Sequence, residues 1–214
     1  MEIMDLMYFA GISIVLTLMP GPDILFVISQ SITNNSKDGV AVALGLCTGL
    51  VFHTIASAFG ISALLYHSSL SFQLLKVAGA IYLFYLAWLA LRENQSKHAE
   101  ESSNEVVEGN SLSTLYRRGI LMNLLNPKVS LFFMAFLPQF IHSKPGAILV
   151  YMQMVILGFV FILQALLVFT VVSIIAYRLG RNFMNNSIKS KWVNRGKAGI
   201  YLLLGTQLFL MDNK

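Results

Sequence analysis

The sequence is short of charged residues, cysteine and clustered metal ligands, and each shortage excludes a class of protein. Aspartate, glutamate, lysine and arginine make up 12% of the 214 residues, about half the share of an ordinary soluble domain. The single cysteine, Cys47, excludes a disulfide framework and a redox pair of thiols. The 4 histidines are scattered along the chain, which argues against a metal-binding cluster. We therefore predict no metal site and no cofactor.

The sequence consists largely of long apolar runs. Hydrophobic residues make up 56% of the chain, and its mean hydropathy is +0.69. Runs of about 20 apolar residues are long enough for a helix to cross a bilayer, so we predict an all-α, polytopic membrane protein. The net charge of +5 does not indicate a nucleic-acid partner. The basic residues stand at the ends of the apolar runs, as topology signals do.

Six apolar segments are predicted to cross the membrane as helices, at about residues 6–32, 40–65, 70–91, 119–141, 147–177 and 198–211. The acidic and polar residues between the third and fourth segments predict a linker over residues 92–118. With six spans, lysine and arginine gather on one side of the membrane. The positive-inside bias then places the linker in the cytoplasm and both termini outside.

Two of the predicted helices contain a proline break. Pro20 and Pro22 flank Gly21 in the first helix, and Pro127 follows Asn126 in the fourth. Proline has no amide hydrogen and clashes with the preceding turn, so both helices are expected to break. In hydrocarbon such a break is tolerated only where protein or a water-lined cavity satisfies the freed carbonyls. A pair of such breaks is typical of a transport site.

The two halves of the chain resemble each other around these breaks. Pro22-Asp23 aligns with Pro127-Lys128, and further matches follow in the same order. We predict two three-helix repeats, over residues 1–91 and 119–214, although apolar sequences also match by coincidence. An odd number of helices in each half forces opposite orientations, and substrate would then bind where the two broken helices meet.

Asp23 and Lys128 are the first candidates for substrate binding. An amino-acid zwitterion needs an anionic partner for its ammonium and a cationic partner for its carboxylate, and these two residues supply one of each. The alternative is a permanent ion pair that locks the halves together. Asn123 and Asn126 are candidates for binding either substrate or broken backbone, and Thr17 for lining a polar path or bonding across helices.

Asp23 is also the first candidate for proton coupling, because a buried carboxylate beside a lysine responds to whether the site is occupied. His53, inside the second helix, is the competing candidate, since imidazole titrates near neutral pH. The alternative for His53 is a buried histidine with its hydrogen bonds satisfied inside the core.

Other functions fit the sequence less well. An intramembrane enzyme needs a paired nucleophile and base, and no Ser-His or paired-Asp pattern is present, so we predict that the protein is not an enzyme. A passive channel, or an exporter of another small solute or metal ion, is the alternative to an amino-acid exporter. The oligomeric state stays open, with a homo-oligomer as one possibility.

Three motifs together resemble the LysE/RhtB family of bacterial amino-acid exporters. They are Pro20-Gly21-Pro22-Asp23, the Asn-Leu-Leu-Asn-Pro-Lys block at 123–128, and Lys76-Val77-Ala78-Gly79-Ala80-Ile81-Tyr82-Leu83. The resemblance implies an inner-membrane secondary exporter of small amino acids or their analogues, driven by proton exchange. Neutral substrates such as threonine, homoserine or a branched-chain amino acid are expected, because the predicted spans contain no second carboxylate for a basic side chain.

Overall fold

The structure is a computed structural model that describes residues 3–67, 111–141 and 149–179, with isolated residues between 73 and 88 and at 202 and 206. Every regular element in these ranges is helical, which confirms the all-α prediction for this part of the chain. The elements are α1 (Ile3–Leu18), α2 (Pro22–Thr33), α3 (Ser36–His67), α4 (Leu112–Leu124), α5 (Pro127–Leu131), a π-helical segment (Phe132–Phe136), a 3-10 segment (Leu137–Phe140) and α6 (Val150–Leu179).

Both proline-containing helices are broken. The axes of α1 and α2 meet at 59°, and α4 meets the helical stretch from Pro127 to Phe140 at 50°. Pro22 is the first residue of α2 and Pro127 is the first residue of α5. A helix tolerates proline at this position, because the missing N–H would have no partner within the helix anyway.

Among the described residues, α3 (over Ser36–Gly60) and α6 are long and apolar enough to cross a membrane, and each bent pair adds one more candidate span. The structure therefore has between two and four candidate spans in this part of the chain. The predicted third span, 70–91, and sixth span, 198–211, lie mostly outside the described residues. The arrangement of six helices in an inverted repeat stays a prediction.

The helix α4 begins at Leu112, within the last part of the predicted polar linker over residues 92–118. Ser111 is its N-cap, and the Ser111 side chain accepts a hydrogen bond from the Thr114 backbone N–H at 3.3 Å. This cap marks the start of the helix.

The helix α3 lies at the centre of the described structure and contacts α2, α4 and α6, while α1 packs on α6. Gly45 and Gly119 lie where α3 crosses α4. A Cβ atom added to Gly45 would collide with the Tyr116 carbonyl and lie 3.0 Å from the Cα of Gly119. The Gly45-Gly49 pair therefore serves close helix packing within the chain.

Candidate functional site

The two helix breaks contribute one charged residue each to the same cavity. Asp23 is the second residue of α2 and Lys128 is the second residue of α5. Their side chains are only 4% and 8% exposed, and both line one small cavity. A buried charge is unfavourable unless other groups stabilise it, so the contacts of each residue decide what the site can do.

The Asp23 carboxylate is bound by the opposite half of the chain. Asn126 Nδ2 donates a hydrogen bond to Asp23 Oδ2 at 2.7 Å, and the charge of Lys128 also acts on this carboxylate. Asn126 Oδ1 accepts the Lys128 backbone N–H at 3.0 Å and so caps α5. Asn126 therefore binds both broken backbone and Asp23. The second carboxylate oxygen, Asp23 Oδ1, is buried and accepts no hydrogen bond within the described structure.

The ammonium of Lys128 reaches the first break. Lys128 Nζ donates a hydrogen bond to the Leu16 carbonyl at 3.3 Å. In a continuous helix this carbonyl would accept the N–H of residue 20, which is Pro20 and has none. Gly21 leaves room for the ammonium, because a Cβ atom at Gly21 would lie 3.3 Å from Lys128 Nζ. Lys128 thus satisfies a carbonyl that the proline left without its helical partner.

Asn123 and Thr17 also line the cavity. The side chain of Asn123 packs against Gly49, and its Oδ1 atom is a second buried acceptor with no hydrogen bond from the described residues. The Thr17 hydroxyl donates to the Ser13 carbonyl at 2.8 Å and accepts from Gln164 Nε2 at 3.0 Å. Thr17 therefore bonds across helices α1 and α6, which is one of the two roles that its sequence position allowed.

His53 lies on α3 beside the second break and does not line the cavity. Its Nε2 atom donates a hydrogen bond to the backbone carbonyl of Asn123 at 3.2 Å, and its ring centroid lies 5.8 Å from that of Phe133. The described contacts of His53 are therefore with backbone and an aromatic ring. The His53 hydrogen bond to Asn123 connects the histidine to a residue that lines the cavity.

Apolar side chains form the rest of the cavity wall, and sequence reasoning did not single them out. Each is one of many similar residues in the apolar runs, so no sequence signal distinguishes them; they are Leu16, Leu50, Val129, Phe161 and Phe169. The remaining space is about 10 Å³, which is about the room of one water molecule. Little free space is therefore left between these groups in this conformation.

An aromatic cluster adjoins this cavity through Phe161. The ring centroid of Phe161 lies 5.2 Å from that of Phe133 and 5.4 Å from that of Phe132. Phe9 of α1 and Phe140 of the 3-10 segment extend the cluster, with their centroids 5.2 Å apart. The short helical segments after the second break are thus packed against α1 and α6. The aromatic cluster therefore packs behind the cavity wall at Phe161.

An apolar helical chain with two broken helices around a buried, charged cavity defines a membrane transport protein. The chain belongs to the LysE type translocator family, whose model matches residues 14–212. The resemblance seen in the three sequence motifs is therefore confirmed. Members of this family are membrane transport proteins.

Several relatives match over most of their length. The homoserine/homoserine lactone efflux protein of Salmonella typhimurium is 30% identical over 196 residues, covering 92% of this chain and 91% of that protein. The uncharacterized membrane protein YrhP of Bacillus subtilis is 30% identical over 208 residues, covering 93% and 95%. An uncharacterized membrane protein of Vibrio cholerae is 30% identical over 179 residues, covering 84% of each chain. No solved structure matches this chain.

Proposed function

We propose that this protein is a secondary exporter of small neutral amino acids or their analogues, driven by proton exchange. The substrate would be held between the two broken helices, beside Asp23 and Lys128. One observation carries the proposal: a carboxylate from one break and an ammonium from the other line a single buried cavity. A zwitterion carries the complementary pair of charges.

The ammonium of the substrate would bind the unused acceptors of the cavity. Asp23 Oδ1 and Asn123 Oδ1 are both buried and accept no hydrogen bond from described residues. A buried acceptor without a donor costs about 1–3 kcal/mol, and more when it is charged. An ammonium group has three N–H donors and would supply the missing bonds. This supports Asp23 and Asn123 as its binding partners.

The carboxylate of the substrate would bind Lys128 and the start of α2. Gly21, the N-cap residue of α2, provides no side-chain hydrogen bond to the helix, whereas α5 is capped by Asn126. The first turn of a helix carries unpaired N–H groups and a partial positive charge, which favour an anion. A carboxylate beside Lys128 would then replace the Leu16 carbonyl as the acceptor for the ammonium.

The apolar wall favours a substrate with an uncharged side chain. Leu50, Val129 and Phe169 line the cavity together with the polar groups. A charged side chain would lose its hydration there without gaining an opposite charge, because no second carboxylate lines the described cavity. Threonine, homoserine and branched-chain amino acids suit this wall better than lysine or arginine.

Proton coupling would follow from competition at Asp23. A proton and a substrate ammonium both neutralise the same carboxylate, so that binding of one releases the other. This is the requirement for exchange of an amino acid against protons across the membrane. A cavity with room for about one water also supports a site that opens to each side in turn more than a continuous pore.

The proposed exporter also has a defined arrangement of repeats in the membrane. We place the two three-helix repeats at residues 1–91 and 119–214, in opposite orientations, with both termini outside a bacterial inner membrane. The packing of α1 on α6 and of α4 on α3 supports the repeat, because the broken helix of each half then contacts the long helix of the other.

The direct test is transport by the purified protein in vesicles. Radiolabelled threonine, homoserine, leucine and lysine would be loaded, with and without an imposed proton gradient. We expect movement of the neutral amino acids that depends on the gradient, and little movement of lysine. If the folded protein moves none of these amino acids, the proposal is wrong and another solute has to be considered.

Replacing the ammonium of Lys128 should distinguish two analogues that differ in one charge. We expect Lys128→Met to slow homoserine export by about tenfold or more, the effect of losing one charged hydrogen bond. Homoserine lactone has no free carboxylate, so its export should fall much less. The measurement is the rate of export of each compound from vesicles at equal amounts of folded protein.

The matched control for this variant is Lys37→Met, at an exposed lysine near the start of α3. It removes the same charge outside the cavity and should leave both rates unchanged. An equal loss of homoserine and homoserine lactone export in Lys128→Met would contradict the carboxylate-binding role. That result would indicate a structural role for Lys128 in holding the two halves together.

A further inference from the structure

Helix α3 presents four residues at four-residue spacing to the second broken helix. Gly45 and Gly49 contact Tyr116 and Asn123, and they let the two backbones approach closely. His53 and Ser57 follow on the same face, and both donate hydrogen bonds to backbone carbonyls of the broken helix. Residues four apart share a face of a helix, so these four form one continuous stripe.

For each of the two carbonyls that accept these bonds, the residue that would donate the regular helical hydrogen bond is a proline, which has no N–H. In a continuous α-helix the Asn123 carbonyl would accept the N–H of residue 127, which is Pro127. The Asn126 N–H reaches this carbonyl in a tighter turn at 3.0 Å, and His53 Nε2 adds a second donor at 3.2 Å. His53 therefore supplies a donor where the regular helical partner is missing.

One turn further along α3, Ser57 binds a second carbonyl whose regular partner would be a proline. In the π-helical segment the Leu137 N–H bonds to the Phe132 carbonyl, five residues back. The next bond of this kind would join the Phe133 carbonyl to residue 138, which is Pro138. Ser57 Oγ donates to the Phe133 carbonyl at 3.2 Å instead. For each of the two carbonyls, a proline thus removes the regular donor and a polar residue of α3 supplies another.

We propose that His53 is a positioning residue of the substrate site, and that it acts by holding the Asn123 backbone at the second break. The inference rests on the proposed function, because it assigns to Asn123 the binding of the substrate ammonium. Lys128 holds the first break in the same way, by donating a hydrogen bond to the Leu16 carbonyl. Each break is held by a nitrogen donor from the other half of the chain. This role differs from proton coupling, for which the sequence made His53 a candidate.

Three variants test this role in vesicles, with KM and maximal rate measured separately. His53→Leu removes the donor and should raise KM for a neutral amino acid by about two- to tenfold, the factor for one lost hydrogen bond. Its maximal rate should change little. His53→Gln keeps an N–H donor without an imidazole and should restore the wild-type KM. Ser57→Ala removes the neighbouring bond, away from the cavity, and should leave KM unchanged.

The gradient dependence of His53→Gln separates positioning from proton carriage. We expect this variant to accumulate amino acid in response to a proton gradient as the wild type does. Loss of that response, with exchange retained, would overturn the proposal and make His53 the proton carrier. A rise in KM for Ser57→Ala equal to that of His53→Leu would also overturn it, since the effect would then be general destabilisation.

Thermal unfolding in detergent gives a readout that does not depend on transport. His53→Leu should unfold at a lower temperature than His53→Gln, because only the first removes the side-chain donor to the Asn123 carbonyl. Equal unfolding temperatures would contradict the capping role. If His53→Leu does not fold, His53→Gln and Ser57→Ala still decide the question. A wild-type protein that moves no amino acid would contradict the proposed function, and the unfolding comparison would still test the capping.

Discussion

Replacement of Asp23 by asparagine is expected to reduce amino-acid export by about 10- to 100-fold. The substitution keeps the size of the side chain and an oxygen that can accept the Asn126 Nδ2 hydrogen bond, so the second half should stay docked. It removes the negative charge that would bind the substrate ammonium. A hydrogen bond to a charged group contributes about 1.5–3 kcal/mol, and each 1.4 kcal/mol is about a factor of ten in binding. The measurement is initial export from vesicles at equal amounts of folded protein.

Asp38→Asn is the matched control for this substitution. Asp38 is also buried, in the first turn of α3, where Asn34 Nδ2 donates to Asp38 Oδ2 at 2.8 Å. It does not line the cavity. Export by this variant should stay close to that of the wild type. Wild-type export by folded Asp23→Asn would rule out Asp23 as the ammonium partner and leave it a structural role.

The second large effect concerns folding, at the crossing of α3 and α4. We expect Gly45→Ala to lower the free energy of unfolding by about 1–3 kcal/mol, the range for overpacking a close contact. The added methyl group would collide with the Tyr116 backbone carbonyl and lie 3.0 Å from the Cα of Gly119. Backbone atoms cannot move aside as the end of a flexible side chain can, so the helices would have to separate. Unfolding in a denaturing detergent series measures the change.

Gly60→Ala provides the same substitution in the same helix. No described atom lies within 4 Å of a Cβ atom placed at Gly60. Alanine is favoured over glycine inside a helix by about 1 kcal/mol, so this variant should be as stable as the wild type or slightly more stable. Equal destabilisation by the two substitutions would show that the close crossing is not what requires glycine at position 45.

Gly45→Ala should also change the geometry of the substrate site, because it moves α3 away from α4. Gly49, one turn further along α3, contacts the side chain of Asn123, and His53 binds the Asn123 carbonyl one turn beyond that. Both contacts depend on how closely α3 approaches α4. The glycine crossing therefore links the stability of the protein to the geometry of its second break.

Much of the fold followed from local features of the sequence. Long apolar runs indicate membrane helices whatever their order, and proline breaks a helix wherever it stands in the interior, so the positions of both breaks could be predicted. The Ser111 cap at the start of α4 was not singled out from the sequence. The three motifs likewise identified the family, because they can be read without any tertiary information.

The motifs of the sequence were enough to identify a member of a transporter family, with Asp23 and Lys128 each following a proline at a helix break. The packed helices were needed to show that Asn126 binds Asp23, that Lys128 binds the Leu16 carbonyl, and that the cavity has room for about one water. A proline frees a carbonyl by local chemistry. Which side chain then binds that carbonyl depends on the packing of helices far apart in the chain.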